Sequence, residues 1–153
     1  MVEFMDYKCG YCKKAFPEVA QLLHTDGNIR YIVKEFPILG DQSMLAAQFA
    51  IATKIVAGDA AYETVHNTLM EFRGDITQDM LDKLAVSLDL DVAAITVEMQ
   101  GAQVAQVIND NRLLGQAMQI SGTPTFVVDD QMMRGYVPYD QMVKIVGQIR
   151  DAG

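Results

Sequence analysis

The chain has 153 residues, half of them apolar, and its twenty acidic and twelve basic residues give a formal net charge of −8. This length suits one domain with an ordinary hydrophobic core. Nucleic-acid binding is not expected, because it requires a basic face that neutralises phosphates and none is visible. No run of about 18 apolar residues occurs, so a membrane span is not expected either.

The first forty residues predict a strand, a helix and a second strand. Residues 2–6 combine apolar and acidic residues in a short run that predicts a buried strand. From Gly10 onward apolar residues recur at helical spacing, and Gly27 ends that helix. Residues 29–36 are rich in β-branched and aromatic side chains and predict the second strand. This order is typical of the parallel sheet in an α/β fold.

Residues 41–120 predict helices only. Apolar residues follow helical stripes there, and three residues suit helix N-caps, namely Asp59, Thr77 and Asp91. Together with the breaks at Gly58 and Gly101, these signals predict five helices. We expect them to form a helical insertion between the two halves of the sheet.

The sheet resumes near the end of the chain. Residues 125–128 predict a strand and residues 132–134 its hairpin partner, and Pro138 suits the start of a last amphipathic helix. The predicted order is therefore β-α-β, the helical insertion, then β-β-α. We predict an α/β fold in a single domain, with the boundaries 1–153 for the whole domain, 1–40 and 121–153 for the sheet part, and 41–120 for the inserted helical subdomain.

The motif Cys9-Gly10-Tyr11-Cys12 lies where the first strand ends and the first helix begins. The free N–H groups and the dipole of a helix favour negative charge at its first turn. We expect Cys9 to be exposed and activated as a thiolate, which is the nucleophile in disulfide exchange. Cys12, one turn further on, is expected to be more buried and to act second. Three lysines add positive charge beside the pair, namely Lys8, Lys13 and Lys14.

Glu3 is a further candidate for the chemistry, since it lies six residues before Cys9 on the strand expected to run under the helix. Burying a carboxylate in a mostly apolar strand is costly unless the group is paired or functional. Its simplest use is to accept the proton of Cys12 when a mixed disulfide is resolved. The alternative is that Glu3 lies at a frayed N-terminus and is merely solvated.

Thr123 and Pro124 precede a strand that is expected to lie beside the cysteine pair. A proline does not suit a central strand, but it suits the entrance of one. If the peptide bond before Pro124 is cis, Thr123 is presented outward and its backbone groups can pair with an extended substrate peptide. The alternative is an ordinary trans turn.

These features together resemble the DsbA-like branch of the thioredoxin superfamily. The matching residues are Glu3-Phe4, Cys9 and Cys12, Pro17, and Gly122-Thr123-Pro124-Thr125-Phe126. The resemblance covers nearly the whole chain and implies a thioredoxin-like fold. It also implies four roles, which fall on the attacking Cys9, the resolving Cys12, a cis Pro124 and a proton-transferring Glu3. Pro17 is expected to kink the active-site helix.

The resemblance implies a protein disulfide oxidoreductase, and we favour an oxidase over a reductase or isomerase. The expected partners are cysteine-containing protein substrates and a redox partner protein, and the Cys9–Cys12 disulfide is expected to act without another cofactor. The strongest oxidants of the family carry Pro-His between their cysteines, whereas this chain carries the uncharged Gly10-Tyr11. We therefore expect a couple that is less oxidising than theirs by several tens of millivolts, with partial compensation from Lys13 and Lys14.

Other functions stay open from the sequence. Two thiolates three residues apart can hold Cu(I) or half of a zinc site, although His24 and His66 are not at zinc-finger spacing and we assign no metal ligand. An interaction or chaperone module is a third possibility. Met1 lies almost directly on the first strand, so we expect that a leader and a first segment are missing. We favour the periplasm or another extracytoplasmic space, with the cytoplasm as the alternative.

Overall fold

A computed structural model describes residues 1–152, which form one four-stranded sheet and seven helices. The strands are β1 (Val2–Met5), β2 (Ile32–Glu35), β3 (Thr125–Val128) and β4 (Gln131–Arg134). Helix α1 (Gly10–Asp26) connects β1 to β2, and helix α7 (Tyr139–Ala152) follows β4. The predicted order β-α-β, helices, β-β-α is therefore confirmed.

The strands lie in the order β2-β1-β3-β4. β1 runs parallel to β2 and antiparallel to β3, and β3 pairs with β4 as the predicted hairpin. In this register Glu3 lies opposite Val33 on one side and Phe126 on the other. β2 is shorter than the predicted 29–36, because β1 offers only four residues for it to pair with.

Five helices lie between β2 and β3. They are α2 (Asp41–Ala57), α3 (Asp59–Glu71), α4 (Gln78–Ser87), α5 (Val92–Met99) and α6 (Ala102–Ala117). The side chains of Thr77 and Asp91 accept N–H groups of α4 and α5, as predicted for N-caps. The prediction for Asp59 is wrong by one residue, because Gly58 has φ 85° and takes the N-cap position itself.

The core lies on both faces of the sheet. One cluster joins the five inserted helices to the end of β1 and includes both cysteines. A second cluster packs α1 and α7 against the sheet around Phe126. The cysteine motif therefore sits where the sheet, α1 and the inserted helices meet. Within residues 1–152 no helix combines the length and the apolar character that crossing a bilayer requires.

Candidate active site

The cysteine motif starts helix α1, as the sequence predicts. Cys9 is the N-cap residue, with extended backbone angles of φ −74° and ψ 115°. Its Sγ atom accepts the backbone N–H of Cys12 at 3.2 Å, so a sulfur occupies the position that a hydroxyl or carboxylate oxygen usually takes in an N-cap. The Cys9 N–H in turn donates to the carbonyl of Asp6 at 3.0 Å. The helix start therefore orients the sulfur toward the free N–H groups of the first turn.

The two cysteines are free thiols, and both are buried. The expectation that Cys9 is exposed is wrong, because only 6% of it is accessible, against 0% of Cys12. The cause is the loop before β3, where the carbonyl of Thr123 accepts the Cys9 thiol at 3.3 Å. Tyr11, between the cysteines, is 65% exposed. Cys9 is therefore the more accessible of the two cysteines, although its neighbours cover most of it.

The pKa values of the two thiols are shifted in opposite directions. Hydrogen bonding from the Cys12 side chain lowers the pKa of Cys9 to about 6, and bonds from the Thr123 side chain and from the N–H groups of Cys12 and Tyr11 act in the same direction against burial. Burial, and then the hydrogen bond to Cys9, raise the pKa of Cys12 far above its ordinary value. Cys9 is therefore the thiolate of the pair near neutral pH, and Cys12 keeps its proton.

The lysines beside the motif are engaged elsewhere. The Lys13 amino group donates to the carbonyls of Leu69, at 2.7 Å, and Phe72, at the C-terminal end of α3. Lys8 donates to the carbonyl of Gly74 at 3.3 Å, and the Lys14 amino group lies over the Tyr136 ring, 4.1 Å from its centroid. Burial, and then the charges of Arg73 and Lys8, lower the pKa of Lys13 to about 8. The hydrogen bonds at the Cys9 sulfur, rather than these lysines, account for its lowered pKa.

Glu3 is 3% exposed, so the alternative of a solvated residue at a frayed terminus is wrong. Its carboxylate accepts a short hydrogen bond from the Tyr31 hydroxyl. Burial raises the pKa of Glu3 to about 7; the Tyr31 bond opposes this rise, and the charge of Cys9 adds to it. An acid that titrates near neutral pH therefore lies within electrostatic range of the Cys9 sulfur.

The Thr123–Pro124 peptide bond is cis, as predicted. Its loop lies against the Cys9 sulfur through the Thr123 carbonyl. An open cavity of about 150 Å³ follows the loop and is lined by Ser121, Gly122, Thr123, Pro124, Thr125, Arg134 and Gly135.

Pro17 lies in the interior of α1. Its effect on the course of that helix stays a prediction.

Comparison with known proteins agrees with this geometry. The family model of the DSBA-like thioredoxin domain matches residues 1–147. The chain belongs to this family. Its fold is the thioredoxin-like fold of DsbA-type domains.

Solved structures support the same assignment. A thioredoxin-like oxidoreductase from Silicibacter pomeroyi DSS-3 has a TM-score of 0.91 and 34% identity, with 99% of this chain and 86% of that chain covered. The thiol-disulfide exchange protein alpha-DsbA2 from Wolbachia pipientis has a TM-score of 0.88 and 27% identity, with 97% and 80% covered.

Curated relatives fall into two groups. Disulfide bond formation protein D of Bacillus subtilis is 25% identical over 156 residues, which cover 95% of this chain and 70% of that protein. The Na(+)/H(+) antiporter NhaA 3 of Salinispora tropica is 29% identical over 140 residues, which are 92% of this chain. The chain spans only 21% of the length of that antiporter.

A second buried polar cluster in this DsbA-like protein was not predicted from the sequence. The Tyr62 hydroxyl donates to the Glu35 carboxylate at 2.5 Å, and the Tyr7 hydroxyl lies 3.4 Å from the same oxygen. Tyr7 is also hydrogen-bonded to Nδ1 of His66 at 3.0 Å. The available signal was Glu35 itself, a carboxylate at the end of β2 directly before Phe36. The cluster connects the residues just before the motif to β2 and α3.

Asp6 is the other residue that the sequence analysis missed. Its buried carboxylate accepts the N–H of Lys8 at 2.8 Å and those of Ile38 and Leu39 at 2.8 and 3.1 Å. A buried carboxylate with three N–H donors is well satisfied. Asp6 therefore fixes the loop after β2 to the loop that carries Cys9.

Proposed function

We propose that this protein exchanges disulfides with cysteine-containing proteins, with Cys9 as the nucleophile and Cys12 as the resolving cysteine, and that it acts mainly as an oxidase. The observation that carries the proposal is the contrast between the two thiols, since the pKa of Cys9 is lowered to about 6 and that of Cys12 is raised. A stabilised Cys9 thiolate favours the reduced form of the couple and so makes its disulfide the stronger oxidant.

In the oxidising direction a substrate thiolate attacks Cys9 of the disulfide, and the electron pair of the broken bond leaves on Cys12, which then gains a proton. A second substrate thiolate attacks the mixed disulfide at the substrate sulfur. The products are a substrate disulfide and the reduced enzyme. Cys9 is the more accessible sulfur of the pair, which suits it to the mixed disulfide.

In the reducing direction the Cys9 thiolate attacks a substrate disulfide, and Cys12 then resolves the intermediate. Cys12 must lose its proton for this step, although its burial opposes ionisation. We assign Glu3 as the proton acceptor, because it titrates near neutral pH beside the same site. The Cys9–Cys12 disulfide is the redox group, and no other cofactor enters the reaction.

The direction of exchange depends on the potential of the couple and on the redox partner. We place the potential between the value of thioredoxin, about −270 mV, and that of the strongest DsbA oxidants, about −120 mV. The uncharged Gly10-Tyr11 dipeptide supports a value below the upper limit, and the lowered pKa of Cys9 supports one above the lower limit. A donor of disulfides works in an oxidising compartment, so we propose an extracytoplasmic location and a partner that reoxidises the protein.

Equilibration with glutathione buffers of known ratio tests the direction, with the reduced fraction read by mass spectrometry after alkylation. A potential in the upper half of this range supports an oxidase, whereas a potential near that of thioredoxin contradicts it and favours a reductase or isomerase. Cys9→Ser should abolish turnover of a reduced test protein, and Cys12→Ser should accumulate mixed disulfides. Full activity of Cys9→Ser would refute the mechanism.

A further inference from the structure

Tyr31 connects the Glu3 carboxylate to the neighbouring strand. It immediately precedes β2, and Glu3 lies in β1, which pairs in parallel with β2. The Tyr31 hydroxyl donates to Oε2 of Glu3. Its ring packs against the cluster that joins α1 and α7 to the sheet, so the donor is held in place by the core. The hydroxyl is therefore a fixed partner for the acid.

The titratable groups around Glu3 are few. The Tyr31 hydroxyl favours the ionised carboxylate, whereas the charge of Cys9 disfavours it. Tyr7 lies within electrostatic range of Glu3, and Tyr31 lies within electrostatic range of Cys12. Since burial alone pushes a carboxyl group toward its neutral form, the single favourable contact from Tyr31 decides how much carboxylate is present near neutral pH.

We propose that Tyr31 is a positioning residue for disulfide exchange, whose hydroxyl holds Glu3 and maintains it as the carboxylate that receives the proton of Cys12. This inference rests on the role of Glu3 in the proposed function. It adds a residue outside the cysteine motif and the cis-proline loop, and it explains how a fully buried acid keeps the charge that its task requires.

In the mixed disulfide the Cys12 thiol gives its proton to the Glu3 carboxylate, and the resulting thiolate attacks Sγ of Cys9. The bond between Cys9 and the substrate sulfur breaks, and its electron pair leaves on the substrate as a thiolate. Tyr31 donates to Glu3 before and after the transfer and neither gains nor loses a proton. A neutral Glu3 cannot accept the proton, so loss of the Tyr31 donor slows this step alone.

The test uses the reduced full-length protein and an aromatic disulfide that releases a coloured thiol twice. The first release reports attack by Cys9, and the second reports resolution by Cys12. Tyr31→Phe removes the hydroxyl and keeps the ring. We expect its second phase to be about fivefold slower at pH 7, with the midpoint of its pH profile moved upward by about one unit. The first phase should remain unchanged.

Tyr136→Phe is a matched control, because Tyr136 also donates to a glutamate, Glu18, at a half-buried site on another part of α1. It should behave like the wild type. A double variant, Glu3→Gln with Tyr31→Phe, should resolve no more slowly than Glu3→Gln alone, because Tyr31 acts through Glu3. If Tyr31→Phe slows resolution equally in both backgrounds, Tyr31 acts by another route and the inference is overturned.

The outcomes separate this inference from the proposed function. A normal second phase in Glu3→Gln refutes the role of Glu3, and the role of Tyr31 falls with it. A slow Glu3→Gln beside a normal Tyr31→Phe refutes the role of Tyr31 only. A fluorinated tyrosine at position 31 preserves packing and strengthens the donor, so it should move the pH midpoint downward. An unchanged midpoint there contradicts the inference even if Tyr31→Phe folds poorly.

Discussion

Glu3 and Glu35 are two buried glutamates on adjacent strands, and their surroundings differ. Glu3 is 3% exposed, and its carboxylate accepts a hydrogen bond from one hydroxyl, that of Tyr31. The charge of the Cys9 sulfur also acts on it. Glu35 is 4% exposed and is hydrogen-bonded by Tyr62 and Tyr7. Burial raises the pKa of both, to about 7 for Glu3.

This difference separates a group that can react from one that holds structure. Glu3 has one donor and a reacting sulfur nearby, so its proton is free to move in the pH range of disulfide exchange. Glu35 is surrounded by tyrosines, and Asn111 fixes its backbone carbonyl at 3.0 Å. The proposed function therefore assigns chemistry to the glutamate on β1, whereas the glutamate on β2 is held among hydrogen-bonded neighbours.

The largest expected effect separates the two acids in catalysis. Glu3→Gln should slow resolution of the mixed disulfide by about a hundredfold at neutral pH, because Cys12 loses its proton acceptor. Glu35→Gln should leave this rate within about threefold of the wild type, since the Glu35 carboxylate accepts from Tyr7 and Tyr62 rather than from a reacting group. Stopped-flow measurement of the second thiol release compares the variants. Equal rate losses in both variants would remove the distinction between the two sites.

For the stability of the fold, in contrast to catalysis, the hydrogen bonds of Glu35 are expected to matter most. Tyr62→Phe leaves Glu35 with Tyr7, at 3.4 Å, as its remaining tyrosine partner and should lower the free energy of unfolding by about 1–3 kcal/mol. Urea denaturation of the reduced protein measures the loss. Tyr136→Phe, at a half-buried tyrosine–glutamate pair, serves as the control and should lower stability less than Tyr62→Phe does. A stability loss in the control as large as in Tyr62→Phe contradicts this account of Glu35.

The Glu35 cluster also predicts an acid sensitivity through His66. Burial lowers the pKa of His66 from about 6.5 to about 4, so the folded state binds its proton less readily than the unfolded chain. The contribution of His66 is therefore fully present above about pH 6.5 and is lost as the pH falls toward 4, by at most about 3 kcal/mol. His66→Gln should lose this part of the pH dependence of unfolding, whereas His24→Gln, at an exposed position, should keep it. Identical profiles for His66→Gln and the wild type would show that His66 titrates normally.

The smallest expected effect concerns Lys13. Lys13→Met removes a donor from the C-terminal end of α3 and should cost about 1 kcal/mol of stability. The pKa of Cys9 should stay near its wild-type value, because the sulfur is stabilised by hydrogen bonds. Lys14→Met is the control for loss of a nearby charge. A rise of a full unit in the Cys9 pKa in Lys13→Met alone would restore Lys13 as a modulator of the thiol.

The sequence predicted the features that depend on local pattern. The order of elements along the chain, the caps at Thr77 and Asp91, the position of Cys9 at a helix start and the cis bond before Pro124 all follow from short segments or from the family motif. Glu3 was found because a charge in an apolar strand is conspicuous within a few residues.

The parts that were missed depend on contacts between distant segments. Cys9 is covered by Thr123, 114 residues away, so its burial was not visible from the motif. Lys13 contacts a helix end 56 residues away at Leu69, which redirects its charge. The Glu35 cluster joins residues 27 to 59 positions apart. Periodicity predicts which face of a helix or strand is buried. It does not predict which polar partner a side chain on that face contacts.

The most direct test of the account is a titration of the Cys9 thiolate in the reduced protein. The ultraviolet absorbance of the thiolate, checked by the rate of alkylation, reports its ionisation while Cys12 remains protonated. We predict a midpoint near pH 6, as the hydrogen bonds from Cys12 and Thr123 require. A midpoint at the ordinary cysteine value of about 8.5 would contradict the assignment of Cys9 as the activated nucleophile.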